Sequence, residues 1–245
     1  MELQNLTILI TGGGSGIGLA FAKVLLQRGN RVIICGRHRE KLLAAQARYP
    51  QLEILGCDIT QRADVDALAE FIEERYGNLH MLINNAGIQC KVNLLENTDE
   101  RDAIEQEIGV NLTAPIQLTQ RLLPLLLREP AAIVNLTSAL AVVPKQSTPI
   151  YCAAKAGLHN FTRTLGYQLR GSGIKVFEVM PALVDTPMTA DRPAKKGKIS
   201  PEQLVKEALR GIEKDRTTIY VERTRLLMAI YRLFPLLAYR ILRDE

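Results

Sequence analysis

Leu6-Thr7-Ile8-Leu9-Ile10-Thr11-Gly12-Gly13-Gly14-Ser15-Gly16-Ile17-Gly18 is the stretch that decides the fold. It begins as an apolar run of strand length and turns through glycines into a helix pattern from about Ile17 to Arg28. Gly12 allows a tight turn, Gly16 lets backbone approach a bulky anion, and Gly18 lets helix and strand pack closely. A helix that starts there points free N–H groups and the positive end of its dipole at that anion. The glycines fall as G-x-x-x-G-x-G, not G-x-G-x-x-G. A turn of this kind standing alone is only a flexible connection; its place after the first strand of an alternating chain gives it weight.

Working outward, strand and helix patterns alternate to the end. Further strands are expected at Arg31–Cys35, Leu52–Gly56, Leu79–Asn84, Ala131–Thr137, Lys175–Met180 and Thr217–Val221. Between them, helices are expected at Glu40–Arg48, Ala63–Tyr76, Arg101–Gly109, Ala114–Arg128, Ile150–Arg170 and Pro201–Lys214. Pro124 is expected to bend its helix or begin a new turn, Gly171 and Gly173 to end theirs, and Ser200 to cap the last. This alternation predicts an α/β fold: one Rossmann-type, doubly wound parallel sheet of about seven strands with helices on both faces. The 245 residues suit one such domain, with 224–245 as an amphipathic C-terminal extension within it.

Composition narrows the class. Hydrophobic residues make up 47% and aromatics only 5%, which suits an aliphatic core around a buried sheet. Lys and Arg number 31 against 26 acids, a mild excess without the basic tract that nucleic acid would call for. Cys35, Cys57, Cys90 and Cys152 form no CxxC pair, and His38, His80 and His159 do not join them at zinc-ligand spacing. The expectation is therefore no metal and free thiols in a reducing, cytoplasmic setting. Nothing before Leu6 reads as a signal peptide, and no apolar run reaches membrane-spanning length.

At the end of the second strand, where a dinucleotide fold that prefers NAD carries an acid for the ribose 2′-OH, the chain reads Cys35-Gly36-Arg37-His38. Arg37 can pair with a 2′-phosphate, which points to NADP (NADPH); the plain alternative is a solvated arginine at a helix start. Further on, Tyr151-Cys152-Ala153-Ala154-Lys155 places a phenol and an ammonium on one helical face. A tyrosine ordinarily titrates near about 10, and a nearby ammonium lowers that by favouring phenolate. Ser138, closing the fifth strand, can hydrogen-bond a substrate carbonyl or alcohol. Together these groups suit proton transfer coupled to hydride transfer.

These motifs, in this order, resemble the short-chain dehydrogenase/reductase family over nearly the whole chain. Its T-G-x-x-x-G-x-G corresponds to Thr11–Gly18, its N-N-A-G to Asn84–Gly87, its mid-chain Asn to Asn111, its Ser to Ser138 and its Y-x-x-x-K to Tyr151–Lys155. The resemblance implies a catalytic set of Asn111, Ser138, Tyr151 and Lys155. In it Tyr151 exchanges the proton, Ser138 orients the reacting oxygen, Lys155 holds the nicotinamide ribose and tunes Tyr151, and Asn111 supports a water and Lys155 in a proton relay. It further implies a cofactor site built from Gly12, Ser15, Gly16, Ile17, Gly18, Arg37, Asp58 (against adenine), Asn85, Ala86, Gly87, Tyr151, Lys155, Val184 and Thr186. Ala182 stands where the family has glycine in Pro181-Ala182-Leu183-Val184-Asp185-Thr186. Val32–Arg37 and Asn85–Gln89 are similar to a bacterial subgroup labelled DltE-like.

The leading reading is an NADP-dependent oxidoreductase acting on a small carbonyl or alcohol. The alternatives are an NADPH-binding regulator that keeps the fold, or a membrane-peripheral reductase. Substrate identity and reaction direction stay open. Met188–Ile199 carries Arg192, Lys195, Lys196 and Lys198 at the expected mouth of the cleft, where a solvated loop outweighs an acidic-substrate site. A homodimer or homotetramer is expected, through the helices at 114–128 and 150–170, with Leu122, Leu123, Leu125, Leu126 and Leu127 as apolar surface; packing against the sheet would use the same residues. Thr224–Arg243 reads as two short amphipathic helices divided by Pro235. Folding over the cleft or a partner subunit is preferred there to lying on an anionic membrane, and truncation at Thr224 is expected to weaken assembly or selectivity and to spare cofactor binding.

Overall fold

A computed structural model of the chain describes residues 1–90, 92–95, 100–181, 183–190 and 197–243. The aliphatic runs form seven strands: β1 (Thr7–Thr11), β2 (Arg31–Gly36), β3 (Glu53–Gly56), β4 (Met81–Asn84), β5 (Ala131–Leu136), β6 (Ile174–Met180) and β7 (Thr218–Tyr220). They pair in the order β3-β2-β1-β4-β5-β6-β7, and every pairing is parallel. The helices are α1 (Gly16–Gln27), α2 (Arg39–Arg48), α3 (Arg62–Tyr76), α4 (Arg101–Ile108), α5 (Ala114–Leu126), α6 (Pro149–Gln168), α7 (Pro201–Glu213), α8 (Arg223–Leu233) and α9 (Pro235–Arg243).

Alternation of side chains along each strand divides the core between the two faces of the sheet. Ile8, Ile10, Val32 and Ile34 pack with Phe21 and Leu25 of α1 and with Leu204, Ala208 and Ile212 of α7. Leu9, Ile33 and Leu82 point the other way, into Leu68 and Ile72 of α3, Leu118 and Leu122 of α5, and Leu165 of α6. This is why β1, β4 and β5 are buried along their whole length and read as continuous apolar runs.

The boundaries fall within about two residues of expectation, as fraying ends require. Two features differ in kind. The helices expected at Arg101–Gly109 and Ala114–Arg128 are joined by a π-helical turn, Gly109–Thr113, so the chain stays helical between α4 and α5. Pro124 lies inside α5, which ends at Leu126, and neither starts a new element nor stops the helix at once. Ser200 does cap α7, its Oγ accepting from the Gln203 N–H at 3.1 Å. Leu122, Leu125 and Leu126 are consumed by the core, whereas Leu127 remains 49% exposed.

The chain leaves β1 toward β2 and β3, then returns past β1 to β4. The reversal parts the loops above β1 and β4, and it opens the crevice in which a doubly wound sheet binds its ligand.

Candidate active site

The crevice is stitched together by side chains. Thr11 Oγ1 accepts the N–H groups of Asn85 and Ala86, each at 3.0 Å, and Asn85 Nδ2 donates back to the Thr11 carbonyl at 2.8 Å. The end of β4 is thus locked to the start of the glycine turn. Gly12 has φ +65°, a left-handed conformation that side-chain-bearing residues rarely adopt. Gly18 answers a different demand, since a Cβ there would stand 2.5 Å from the Gly12 carbonyl oxygen and 2.6 Å from Asn85 Nδ2. The turn therefore closes on itself and presents the N-terminus of α1 to the crevice.

Above it lies a cavity of about 320 Å³. Gly12, Ser15, Gly16, Ile17, Arg37, Asp58, Asn85, Ala86, Gly87 and Thr186 all line it. Asp58 is held at the rim, with Oδ1 accepting from the Thr60 N–H at 3.0 Å and the Thr60 hydroxyl at 2.8 Å. Gly18, Tyr151, Lys155 and Val184 do not line this cavity. Gly18 is covered by the turn, as just described, and Val184 is 4% exposed and packs into the core, its carbonyl accepting from Thr189 Oγ1 at 2.6 Å. Lys41, Leu42, Cys57, Ile59 and Met188 line the cavity too and were not anticipated. Of these only Lys41 left a signal, standing four residues after Arg37 at the start of α2.

The catalytic candidates converge at the crevice's other end. Ser138 leaves β5 as the cap of a short 3-10 turn, Ala139–Ala141, with Oγ accepting from the Leu140 N–H at 3.1 Å. Tyr151 sits half-buried in the first turn of α6. One turn later Lys155 is buried; its Nζ lies 5.7 Å from the Tyr151 ring centroid and donates to the Leu136 carbonyl at 2.9 Å. That burial pulls the Lys155 ammonium from its usual 10.5 down to about 8. Asn111 lies within the π-helical turn, fully buried, and grips both backbone groups of Ile88: Oδ1 accepts its N–H at 3.1 Å and Nδ2 donates to its carbonyl at 2.8 Å. A Cβ added to Gly87 would stand 2.9 Å from Asn111 Oδ1 and 3.8 Å from Lys155 Nζ, so these three residues crowd one point.

Two buried acids next to this set escaped the sequence reading. Glu178, inside β6, accepts from the Thr137 hydroxyl at 2.6 Å and pairs with His159 Nδ1 at 2.8 Å, bracing the residue before Ser138 from beneath. An acid in the middle of an apolar strand was the available signal. Glu107, one turn before Asn111, accepts from the Cys90 N–H at 3.0 Å, and burial pushes its carboxyl above the ordinary range. Lys198 is turned inward, donating to the Thr189 carbonyl at 2.6 Å and reaching Asp185 at 3.4 Å, so it is committed to the loop itself. Ala182, Arg192, Lys195 and Lys196 lie outside the described residues.

A phenol, a buried ammonium, a hydroxyl and a carboxamide beside an anion-binding turn can hold and move a proton next to a bound dinucleotide. Comparison with known proteins agrees with that arrangement. The sequence profile described as short chain dehydrogenase matches residues 6–197. An uncharacterized oxidoreductase of Bacillus subtilis (strain 168), DltE, is 41% identical over 228 residues, 91% of this chain and 90% of that one. An uncharacterized oxidoreductase of Staphylococcus aureus (strain USA300) is 31% identical over 84% of this chain and 90% of its own. Among solved structures, a short chain dehydrogenase from Burkholderia cenocepacia in complex with NADP superposes with a TM-score of 0.88 at 25% identity, covering 100% of both chains. One from Burkholderia phymatum in complex with NAD shares the fold, with a TM-score of 0.85 at 24% identity over 95% of this chain and 96% of that one. With the glycine turn, the Asn–Ser–Tyr–Lys set and these relatives in agreement, the chain belongs to the short chain dehydrogenase family of oxidoreductases.

Proposed function

We propose that this oxidoreductase uses NADP(H) to interconvert a small carbonyl and its alcohol, with Tyr151 as the proton donor and acceptor. The observation that carries the chemistry is the pairing of Tyr151 with a buried Lys155 ammonium one helical turn away. A positive charge at that place favours phenolate over phenol, as a proton-exchanging group requires. Ser138, at the end of β5, would orient the reacting oxygen toward that phenol. Asn111, held by Ile88 and crowded against the Lys155 side of Gly87, would keep a proton path open behind it.

The residues present fit a dinucleotide. The closed turn around Gly18 would hold its pyrophosphate, Asp58 its adenine, and Asn85, Ala86, Gly87 and Thr186 the stretch toward Ser138. When bound, the nicotinamide supplies or accepts the hydride. Choice of NADP rests on the adenosine end, where Arg37 and Lys41 line the cavity and the end of β2 carries no carboxylate. The NADP complex of the Burkholderia cenocepacia relative supports this choice. Assembly as a homodimer or homotetramer belongs to the same reading, with Leu127 after α5 and Tyr167 on α6 left 49% and 66% exposed. So does a cytoplasmic setting, supported by four free thiols.

Calorimetric titration with both cofactors tests the preference. NADPH is expected to bind about 10–100-fold more tightly than NADH, the value of one or two charge-assisted hydrogen bonds. Arg37→Asp should abolish or invert the difference. Equal affinities in the native protein would remove the argument.

A further inference from the structure

The two faces of the α8–α9 pair differ in kind. Met228 and Ala238 are buried with Ala139 and Val143, directly on the turn that follows Ser138. The Tyr231 and Tyr239 rings meet edge to face at 5.8 Å, and the Gln146 N–H donates to the Arg243 carbonyl at 3.1 Å. The pair is therefore seated on the body of the protein at a fixed place. Its outer face is not covered by any part of the described chain. Leu226, Leu233, Phe234 and Leu236 are 65, 73, 62 and 75% exposed, with Leu237 and Ile241 beside them. Half of the exposed large hydrophobic side chains among the described residues fall in this one segment, whereas the others are scattered. A contiguous patch of this sort marks a contact surface.

Charge decides what the surface meets. Five arginines (Arg223, Arg225, Arg232, Arg240 and Arg243) fall in this segment, and no acid interrupts them before Asp244 and Glu245. Arg225 is engaged by Glu207 at 2.6 Å. Arg232 and Arg240 are exposed and make no ion pair among the described residues. A second copy of the same face would oppose arginine to arginine across the apolar strip, with no carboxylate within residues 223–243 to answer them. An anionic lipid surface satisfies both halves at once, headgroups to the guanidinium groups and the acyl boundary to Leu and Phe. Spanning is excluded for the described residues, because no helix is long and apolar enough to cross a membrane.

We propose that the outer face of α8 and α9 docks on an anionic membrane surface, with Leu233, Phe234 and Leu236 entering the headgroup boundary and Arg232 and Arg240 reaching its phosphates. Because the inner face packs on the Ser138 turn, docking holds the substrate end of the crevice beside the bilayer.

Co-sedimentation of the full-length protein with vesicles is the test. Binding is expected to vesicles of phosphatidylglycerol mixed with phosphatidylcholine. It should weaken at least about tenfold on phosphatidylcholine alone or in high salt, which shortens the reach of exposed charges. The double variants Leu233→Glu/Leu236→Glu and Arg232→Glu/Arg240→Glu should each abolish it. All four side chains face outward, so cofactor titration and the thermal transition should stay native and so report intact folding. Failure of the native protein to sediment with the anionic vesicles would overturn the proposal. So would equal binding to neutral ones, or native-like binding by both variants. If light scattering instead shows that the same variants split an oligomer, the face meets another copy and not a lipid.

Discussion

Replacing Tyr151 with phenylalanine is expected to lower turnover by roughly 10²–10⁴-fold, the usual contribution of a positioned general acid or base. The substitution removes one oxygen from a half-buried ring in the first turn of α6 and leaves the ring's packing in place. Lys155 keeps its hydrogen bond to the Leu136 carbonyl, because that bond does not pass through Tyr151. Affinity for NADPH should hardly change, since the cavity proposed to take the phosphates and adenosine is lined by other residues. Steady-state rates on a carbonyl the native enzyme reduces, paired with calorimetric titration of NADPH, separate the two effects. Near-native turnover would exclude Tyr151 as the proton donor, and a matching loss of NADPH affinity would mean that the ring serves binding.

Lys155→Met is expected to do two opposite things. Turnover should fall by at least about 10²-fold, because the charge proposed to tune Tyr151 is gone. Stability at neutral pH should rise. Burial pulls the Lys155 ammonium from 10.5 to about 8, so holding its charge costs the native state roughly 3 kcal/mol below that pH. Methionine fills a similar volume without a charge, although the Leu136 carbonyl loses its donor, at about 1–2 kcal/mol. The net gain of about 1–2 kcal/mol corresponds to a Tm higher by about 2–8 °C. The pH dependence has a definite sign. Between pH 8 and 10.5 the unfolded lysine holds a proton that the native one has released, so native stability climbs with pH over that window. The advantage of the variant should be complete below about pH 8 and shrink above it. Calorimetric Tm values at pH 7 and pH 10 decide the matter; a variant no more stable at pH 7, or a gap that does not narrow, would show that the ammonium is solvated through routes the burial conceals.

Much of this was legible in the sequence because it is local. The strands read correctly since β1, β4 and β5 are buried on both faces and so spell continuous aliphatic runs. The glycine turn and the Tyr151–Lys155 spacing need only neighbours within one turn of chain. What escaped is made through space. Leu42, Cys57 and Met188 reach the cavity from three separate elements, and no period links them. Glu178 is one acid in the apolar run of β6, and its partners Thr137 and His159 come from other elements. The π-helical turn is hidden for a different reason: a helix pattern repeats at 3.6 residues per turn, and a turn of wider pitch looks like a gap in it.

That wider turn also bears on how the family's chains can vary in length. Between Arg101 and Leu126 the helical path holds one residue more than an unbroken α-helix of the same rise would need. The surplus residue is an insertion tolerated in the middle of a helix. Excising a single residue from Gly109–Thr113 would let the ladder close regularly with α4 and α5 facing nearly as they do now, because the wider turn already absorbs the surplus. Glu107, in α4, would keep its place, but Asn111 stands inside the turn and would lose its hold on Ile88. Single-residue deletions should therefore be found among working descendants in the loops around this helix, but not within those five positions.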